Sequence, residues 1–301
     1  MAGTAPHSGT SPVIYRSHAK INLYLDVLDR RGDGFTNIET VFQTVGLCDE
    51  LHFAPAETGT HFTCSDSALA DPEGNLVCRA AALIRARTGA NQGISIHLEK
   101  HIPVAAGLAG GSGNAAAALV ALNDLWALGL SNSELDALAR ELGSDVPYCI
   151  RGGTVAATGR GELMEVLDPI PPQWLVLVHP PLAVTAGHAY GHPKLTRNTT
   201  EPVAGRTPAF REALDRLATG DIAGTVFNRM ESGVFHEHPE LAAIKTRLRD
   251  LGCTASAMSG SGPTVFGLCP DEKTARSVAT HIQDYATTVL QTTAHGVLRC
   301  P

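Results

Sequence analysis

"IPVAAGLAGGSGNAAAALVALNDLW", residues Ile102 to Trp126, joins an apolar lead to a helical pattern through a turn almost bare of side chains. After the turn, Ala115, Leu119, Leu122 and Trp126 fall at i, i+4, i+7 and i+11, one face of a helix that Gly129 stops. Before it, Ile94, Ile96 and Leu98 alternate in "GISIHLEKHIPV", the mark of a half-buried strand. Between a strand and a helix, residues with little side chain let backbone N–H groups approach a bulky anion, and the helix N-terminus adds partial positive charge. Tight helix packing is the structural alternative. Gly107, Gly110, Gly111 and Gly113, with Ser112 among them, favour phosphate. No lysine follows the glycines as in a Walker loop, and Gly107, Ala109 and Gly110 break the dinucleotide spacing.

Outward from this stretch, "VIYRSHAKINLYLDV" (13–27) reads as one or two strands, "DRRGDG" as a turn, and "TNIETVFQTVGLCDELHFAP" as further β structure. Asn75 to Thr88 has helical spacing and ends at Gly89. Ser131 and Glu134 make a capping box ahead of Leu135, Leu138 and Leu142, with Gly143 as the stop. "GGTVAATGRGELMEVL" returns to β character, and the proline-rich "DPIPPQ" (168–173) marks a boundary between two domains, 13–168 and 169–301. The second half gives a strand at "WLVLVHP", helices near 207–218 and 239–251, a strand pair around "SAMSGSGPTVFGLC", a helix near 271–283 and a last strand near 285–293. The element order is α+β, without regular βαβ alternation.

The 301 residues, 44% hydrophobic and 18% charged, suffice for two cores. A net charge of -7 without clustered Lys or Arg excludes a nucleic-acid or anionic-membrane surface. No apolar run reaches the ~20 residues of a membrane helix, and residues 1–12 read as a loose tail rather than a signal peptide. Seven cysteines without a C-x-x-C pair suggest neither a disulfide framework nor a zinc site, hence a reduced, cytoplasmic protein. Nothing in the sequence indicates a protein partner.

"PVAAGLAGGSGNAAAAL" resembles the P-x-x-x-G-L-x-G-G-S-S-x-A loop of the GHMP kinases, with Gly113 where a second serine is usual. "AKINLYLDVLDRRGDGFTNIETVFQT", "NLVCRAA", "LGSDVPYCIRGGTVAATGRGE" and "ASAMSGSGPTVFGL" extend the resemblance over nearly the whole chain past residue 12, in the order of members acting on a cytidylated methylerythritol. The resemblance implies a GHMP kinase fold: an N-terminal domain like the second domain of ribosomal protein S5, and a ferredoxin-like C-terminal domain. It also implies transfer of the γ-phosphoryl of ATP to a small alcohol, with Mg2+ accompanying the nucleotide and no metal ligand announced by the sequence. A GHMP kinase for another small alcohol and a non-catalytic ligand sensor are the alternatives.

On this resemblance, Pro103, Val104, Ala105, Ala106, Gly107, Leu108, Ala109, Gly110, Gly111, Ser112 and Gly113 form the nucleotide-phosphate loop. Asp145, in "GSDVPY", accepts the proton of the alcohol or orients it, and Lys20, in "AKINLYL", holds Asp145 ionised. Taken alone, Asp145 reads equally as a helix N-cap, Lys20 as a snorkelling surface cation, and Ser112 as an N-cap besides a phosphate or magnesium contact. Asn22 stands near the reacting hydroxyl, and Phe35 and Thr36 meet the base where the family has Gly-Tyr-His. Thr185 lines the substrate side or is a surface strand threonine. Met258 to Phe266 shapes the nucleotide pocket or is a structural hairpin. His236, Glu237 and His238 read as a solvated run rather than a metal cluster, and Arg30 and Arg31 as exposed turn residues.

Overall fold

A computed structural model describes residues 11–301; of the expected tail 1–12, all but the last two residues lie outside the described part. The first half runs β1 (Val13–Arg30), β2 (Thr36–Ala56), β3 (Thr60–Cys64), a 3-10 turn (Ser67–Leu69), α1 (Leu76–Thr88), β4 (Gly93–Glu99), α2 (Gly110–Leu125), α3 (Asn132–Leu142), α4 (Val146–Arg151), β5 (Thr154–Thr158) and β6 (Leu163–Val166). The second runs β7 (Trp174–His179), α5 (Ala186–Gly191), α6 (Pro208–Ala218), α7 (Ile222–Thr225), β8 (Phe227–Asn228), α8 (Glu231–Glu237), α9 (Pro239–Asp250), β9 (Ala255–Met258), β10 (Val265–Cys269), α10 (Glu272–His281), β11 (Ala286–Gln291) and β12 (Val297–Arg299).

Local chemistry fixes many boundaries. Asn75 caps α1 by accepting from Val77 N, and Gly89 ends it at φ 73°. The Ser131–Glu134 box is made in both directions at the start of α3. The helix after the glycines stops at Leu125, with Trp126 as its C-cap rather than its last turn.

Two sheets form. The first has the order β12-β1-β2-β4-β3, with β5 on β2, β6 on β5 and β8 beside β1. The second has the order β11-β7-β10-β9, all pairs antiparallel. In chain order that is strand 4-1-3-2 of a β-α-β-β-α-β unit, the ferredoxin-like arrangement. The near-continuous burial of β1 from Ser17 to Leu28 follows from cover on both faces. On one side Phe42 and Phe53 share a core with Val77 and Ile84 of α1 and Leu119 of α2. On the other, Ile21, Leu23 and Val41 pack against Leu175, Leu177 and Phe266 of the second sheet. That sheet alternates, so Val176, Val178 and Val265 point away to Leu241 and Ile244 of α9 and Val278 of α10.

The residues between 13 and 27 make one strand with register shifts between His18 and Lys20 and between Asn22 and Tyr24. β3, α5, α8 and β12 were not expected from the sequence. Residues 168–173 carry neither helix nor strand, and β12 returns from the second half to pair with β1. No helix among the described residues is long and apolar enough to cross a membrane.

Candidate active site

The glycine-rich turn begins where Asp49, a fully buried carboxylate of β2, collects the backbone N–H of His101 (2.7 Å) and Ile102 (2.8 Å) and the Lys100 ammonium. This anchor escaped the sequence reading, because nothing in "CDELHF" shows which of its acids turns inward. Beyond it, Ala105 (φ 52°), Gly107 (φ 74°) and Ala109 (φ 57°) take left-handed backbone, a costly conformation for the two alanines that only a well-held loop sustains. Ala109 is the N-cap of α2 without any side-chain bond, so the first-turn amides of Gly110, Gly111 and Ser112 are left free of intrahelical partners. No acidic side chain stands in that turn to offset the dipole. Ser112 is therefore inside the helix, and the N-cap reading of it does not hold.

Gly107 is required by its surroundings: a β-carbon there would lie 2.0 Å from the Ser259 carbonyl oxygen. Gly110 is tight as well, a β-carbon meeting Ile102 at 3.0 Å, whereas at Gly113 the neighbours stand at an ordinary 3.5 Å. Leu108 and Ala106 are buried and pin the loop to the core beneath it.

Lys20 is 5% exposed, so it is no snorkelling surface cation. Its Nζ donates to Asn22 Oδ1 (2.8 Å) and to the Gly107 carbonyl (3.1 Å), and its own N–H bonds the Leu108 carbonyl (3.1 Å). Strand and loop are thus tied at one point. Burial pushes the Lys20 pKa down, and the nearby Asp145 and Cys149 pull it partly back. Asn22 is oriented in turn by donating to Thr40 Oγ1 at 2.8 Å.

Asp145 does stand at the N-cap position of α4, yet its side chain makes no cap bond. The carboxylate is free for other work, which separates it from the ordinary capping duty. Lys20, Asn22, Phe35, Thr36, Gly107, Ala109, Ser112 and Asp145 all line one cavity of about 830 Å3, together with Arg30, Arg160, Tyr190, Arg197 and Gly260. No direct ion pair joins Lys20 to Asp145 among the described residues. Pro103 and Val104 line a different, smaller cavity of about 470 Å3 with Ser65, Ser67 and Lys100.

Phe35 is 49% exposed at the mouth of the larger cavity, with the Arg160 guanidinium 4.4 Å from its ring centre. Arg30 lines the same cavity, while Arg31 pairs with Asp33 at 3.0 Å. Thr185 does not reach the cavity wall and is no strand residue; it caps α5 by accepting from His188 N. Glu237 is likewise not simply solvated, since it accepts from His188 at 2.6 Å, but no metal-binding group of three such side chains occurs among the described residues.

Residues 75–153 match the model of the GHMP kinases N terminal domain and residues 203–287 that of the GHMP kinases C terminal domain. A 4-diphosphocytidyl-2-C-methyl-D-erythritol kinase of Pelotomaculum thermopropionicum is 45% identical over 264 residues, covering 87% of this chain and 91% of the relative. A crystal structure of a 4-(cytidine 5'-diphospho)-2C-methyl-D-erythritol kinase superposes with a TM-score of 0.79 at 34% identity, over 93% of this chain and 98% of the other. A homoserine kinase of Cytophaga hutchinsonii shares the fold, with a TM-score of 0.73 at 19% identity over 99% and 100% of the two chains. The chain belongs to the GHMP kinases, ATP-dependent enzymes that phosphorylate small molecules, and its near relatives are the 4-diphosphocytidyl-2-C-methyl-D-erythritol kinases.

Proposed function

We propose that this kinase transfers the γ-phosphoryl of ATP to the 2-hydroxyl of 4-diphosphocytidyl-2-C-methyl-D-erythritol, in the cytoplasm, as a step of the non-mevalonate route to isoprenoid precursors. The observation that carries the reading is the meeting of Lys20 and Asn22 of β1, Ser112 of α2 and Asp145 at the N-cap of α4, three separate elements, around one cavity beside the free amides of α2.

In this reading the amides of residues 110–112 hold the β- and γ-phosphates. The same reading assigns the nucleoside end of the nucleotide to Pro103 and Val104, which line the other cavity. The acceptor hydroxyl sits between Lys20 and Asp145. Asp145 takes its proton as the oxygen attacks phosphorus, while the Lys20 ammonium and the amide cradle offset charge on the reacting oxygens. Mg2+ would neutralise the β and γ oxygens; such an ion keeps waters and phosphate oxygens and takes only one or two protein oxygens, which the Ser112 hydroxyl at the cavity wall fits.

The half-exposed ring of Phe35, backed by Arg160, is suited to stack a planar base. Thr36 lines the same cavity but lacks an imidazole, so stacking carries more of the base recognition. Assay with ATP and a panel of alcohols tests the proposal: the cytidylated diol is expected to be phosphorylated far faster than homoserine or mevalonate, and the reverse order would overturn it. Phe35→Ala is expected to raise KM for the cytidylated diol by about tenfold or more, since stacking on one aromatic contributes ~1–3 kcal/mol per base. The KM for ATP should stay put in the same steady-state measurement.

A further inference from the structure

The glycine-rich turn after β9, residues 259–262, presses on the reaction groups from the second half of the chain. The Ser259 hydroxyl donates to the Gly107 carbonyl at 3.0 Å, the same oxygen that accepts from Lys20 Nζ at 3.1 Å. A β-carbon on Gly260 would stand 3.2 Å from Lys20 Nζ and 3.4 Å from Asn22 Oδ1, so this turn covers the ammonium like a lid on one side, while Lys20 also lines the cavity. The turn itself has few internal bonds: Ser259 N to the Thr264 carbonyl and Gly262 N to the Ser259 carbonyl, both 2.9 Å.

What holds it comes from β8. Asn228 is 3% exposed, and its amide Nδ2 donates to two carbonyls of the turn segment, Met258 (2.7 Å) and Gly260 (2.8 Å). Its Oδ1 accepts from Met230 N at 2.9 Å, which fixes the amide the right way round. Three residues on, Glu231 accepts from Met258 N at 2.9 Å and is itself paired with Lys245 at 2.5 Å. Both amide hydrogens of Asn228 are thus spent on one loop, an arrangement that no acid, hydroxyl or apolar side chain reproduces.

We infer that Asn228 is a positioning residue for phosphoryl transfer: by fixing the 259–262 turn it sets the Gly107 carbonyl and the Lys20 ammonium, without touching either substrate. The inference rests on the reading of Lys20 and Gly107 as parts of the transfer site. Burial holds the Lys20 pKa below its ordinary value, so loss of the lid lets water in and raises it.

The test uses the full chain with Asn228→Asp, Asn228→Ser, Ser259→Ala, the Asn228→Ser/Ser259→Ala double variant and Lys20→Met as a reference. Thermal midpoint, ATP binding, kcat and the alkaline limb of kcat are measured on each. For Asn228→Asp, and for Asn228→Ser should the acid impair folding, kcat is expected to fall roughly 10- to 100-fold, the effect of an ~1 Å misplacement at the reacting centre. The alkaline limb should move to higher pH as Lys20 becomes hydrated, and the double variant should lose no more than Asn228→Ser alone, because both changes act through Gly107. Folded, ATP-binding Asn228 variants with wild-type kcat and an unmoved limb would overturn the inference, as would strict additivity of the double variant. Wild-type turnover by Lys20→Met would instead overturn the site reading beneath it.

Discussion

Asp145→Asn is expected to lower kcat by about a thousandfold while leaving ATP affinity and thermal stability close to wild type. Removal of a positioned general base typically costs ~10²–10⁴ in rate. The substitution is clean here for a structural reason: Asp145 occupies the N-cap of α4 but makes no cap bond, so an isosteric amide takes nothing from the helix. Asparagine cannot accept the hydroxyl proton, and it removes the negative charge that faces Lys20. Single-turnover kinetics with calorimetric ATP titration checks both halves of the expectation. Turnover that survives the change would show that the proton goes elsewhere.

The second large effect belongs to Gly107→Ala. The new methyl would lie 2.0 Å from a backbone oxygen of Ser259, in a left-handed conformation of φ 74° that alanine adopts only at a cost. Overpacking and backbone strain together predict a loss of about 3 kcal/mol of stability. Unlike the neighbouring Ala105 and Ala109, which carry methyls at φ 52° and 57°, position 107 has a backbone wall directly over it. The loop would have to withdraw from the 259–262 turn, moving the carbonyl that both Lys20 and Ser259 bond. Denaturant unfolding should show the stability loss, and KM for ATP should rise in the same protein. An unchanged midpoint would mean that the two segments separate easily.

Legibility in the sequence followed the range of the interactions. The α3 capping box and the Gly89 end of α1 are decided within a turn or two and stand where they were expected, while Asn75 caps α1 from just outside it and α2 ends at Leu125, short of Gly129. The glycine-rich turn was visible for the same reason, since the positive φ at Gly107 is a local backbone demand. β3 and β12 were not: β12 has three residues, and it is a strand only because Tyr15, Arg16 and Ser17 lie opposite. Asp49 and Asn228 are decided by where distant segments arrive, Asp49 under the start of the loop and Asn228 under the second glycine turn. For Thr185 the polar side chain was noticed, but its partner, an amide three residues on, fixes it as a cap. Lys20 and Asp145 came from resemblance, because burial of a lysine in a long strand leaves no periodic signature.

The pairing of β12 with β1 bears on how the enzyme is made. Tyr15 and Ser17 meet Arg299 and Val297, and the His18 amide bonds the Gly296 carbonyl at 3.0 Å. The strand that carries Lys20 therefore leaves the ribosome more than 260 residues ahead of its flanking neighbour. A nascent chain bearing the whole glycine loop still has an open edge on the strand of the ammonium, and catalytic competence should appear only once residues 297–299 have emerged, all at once rather than domain by domain.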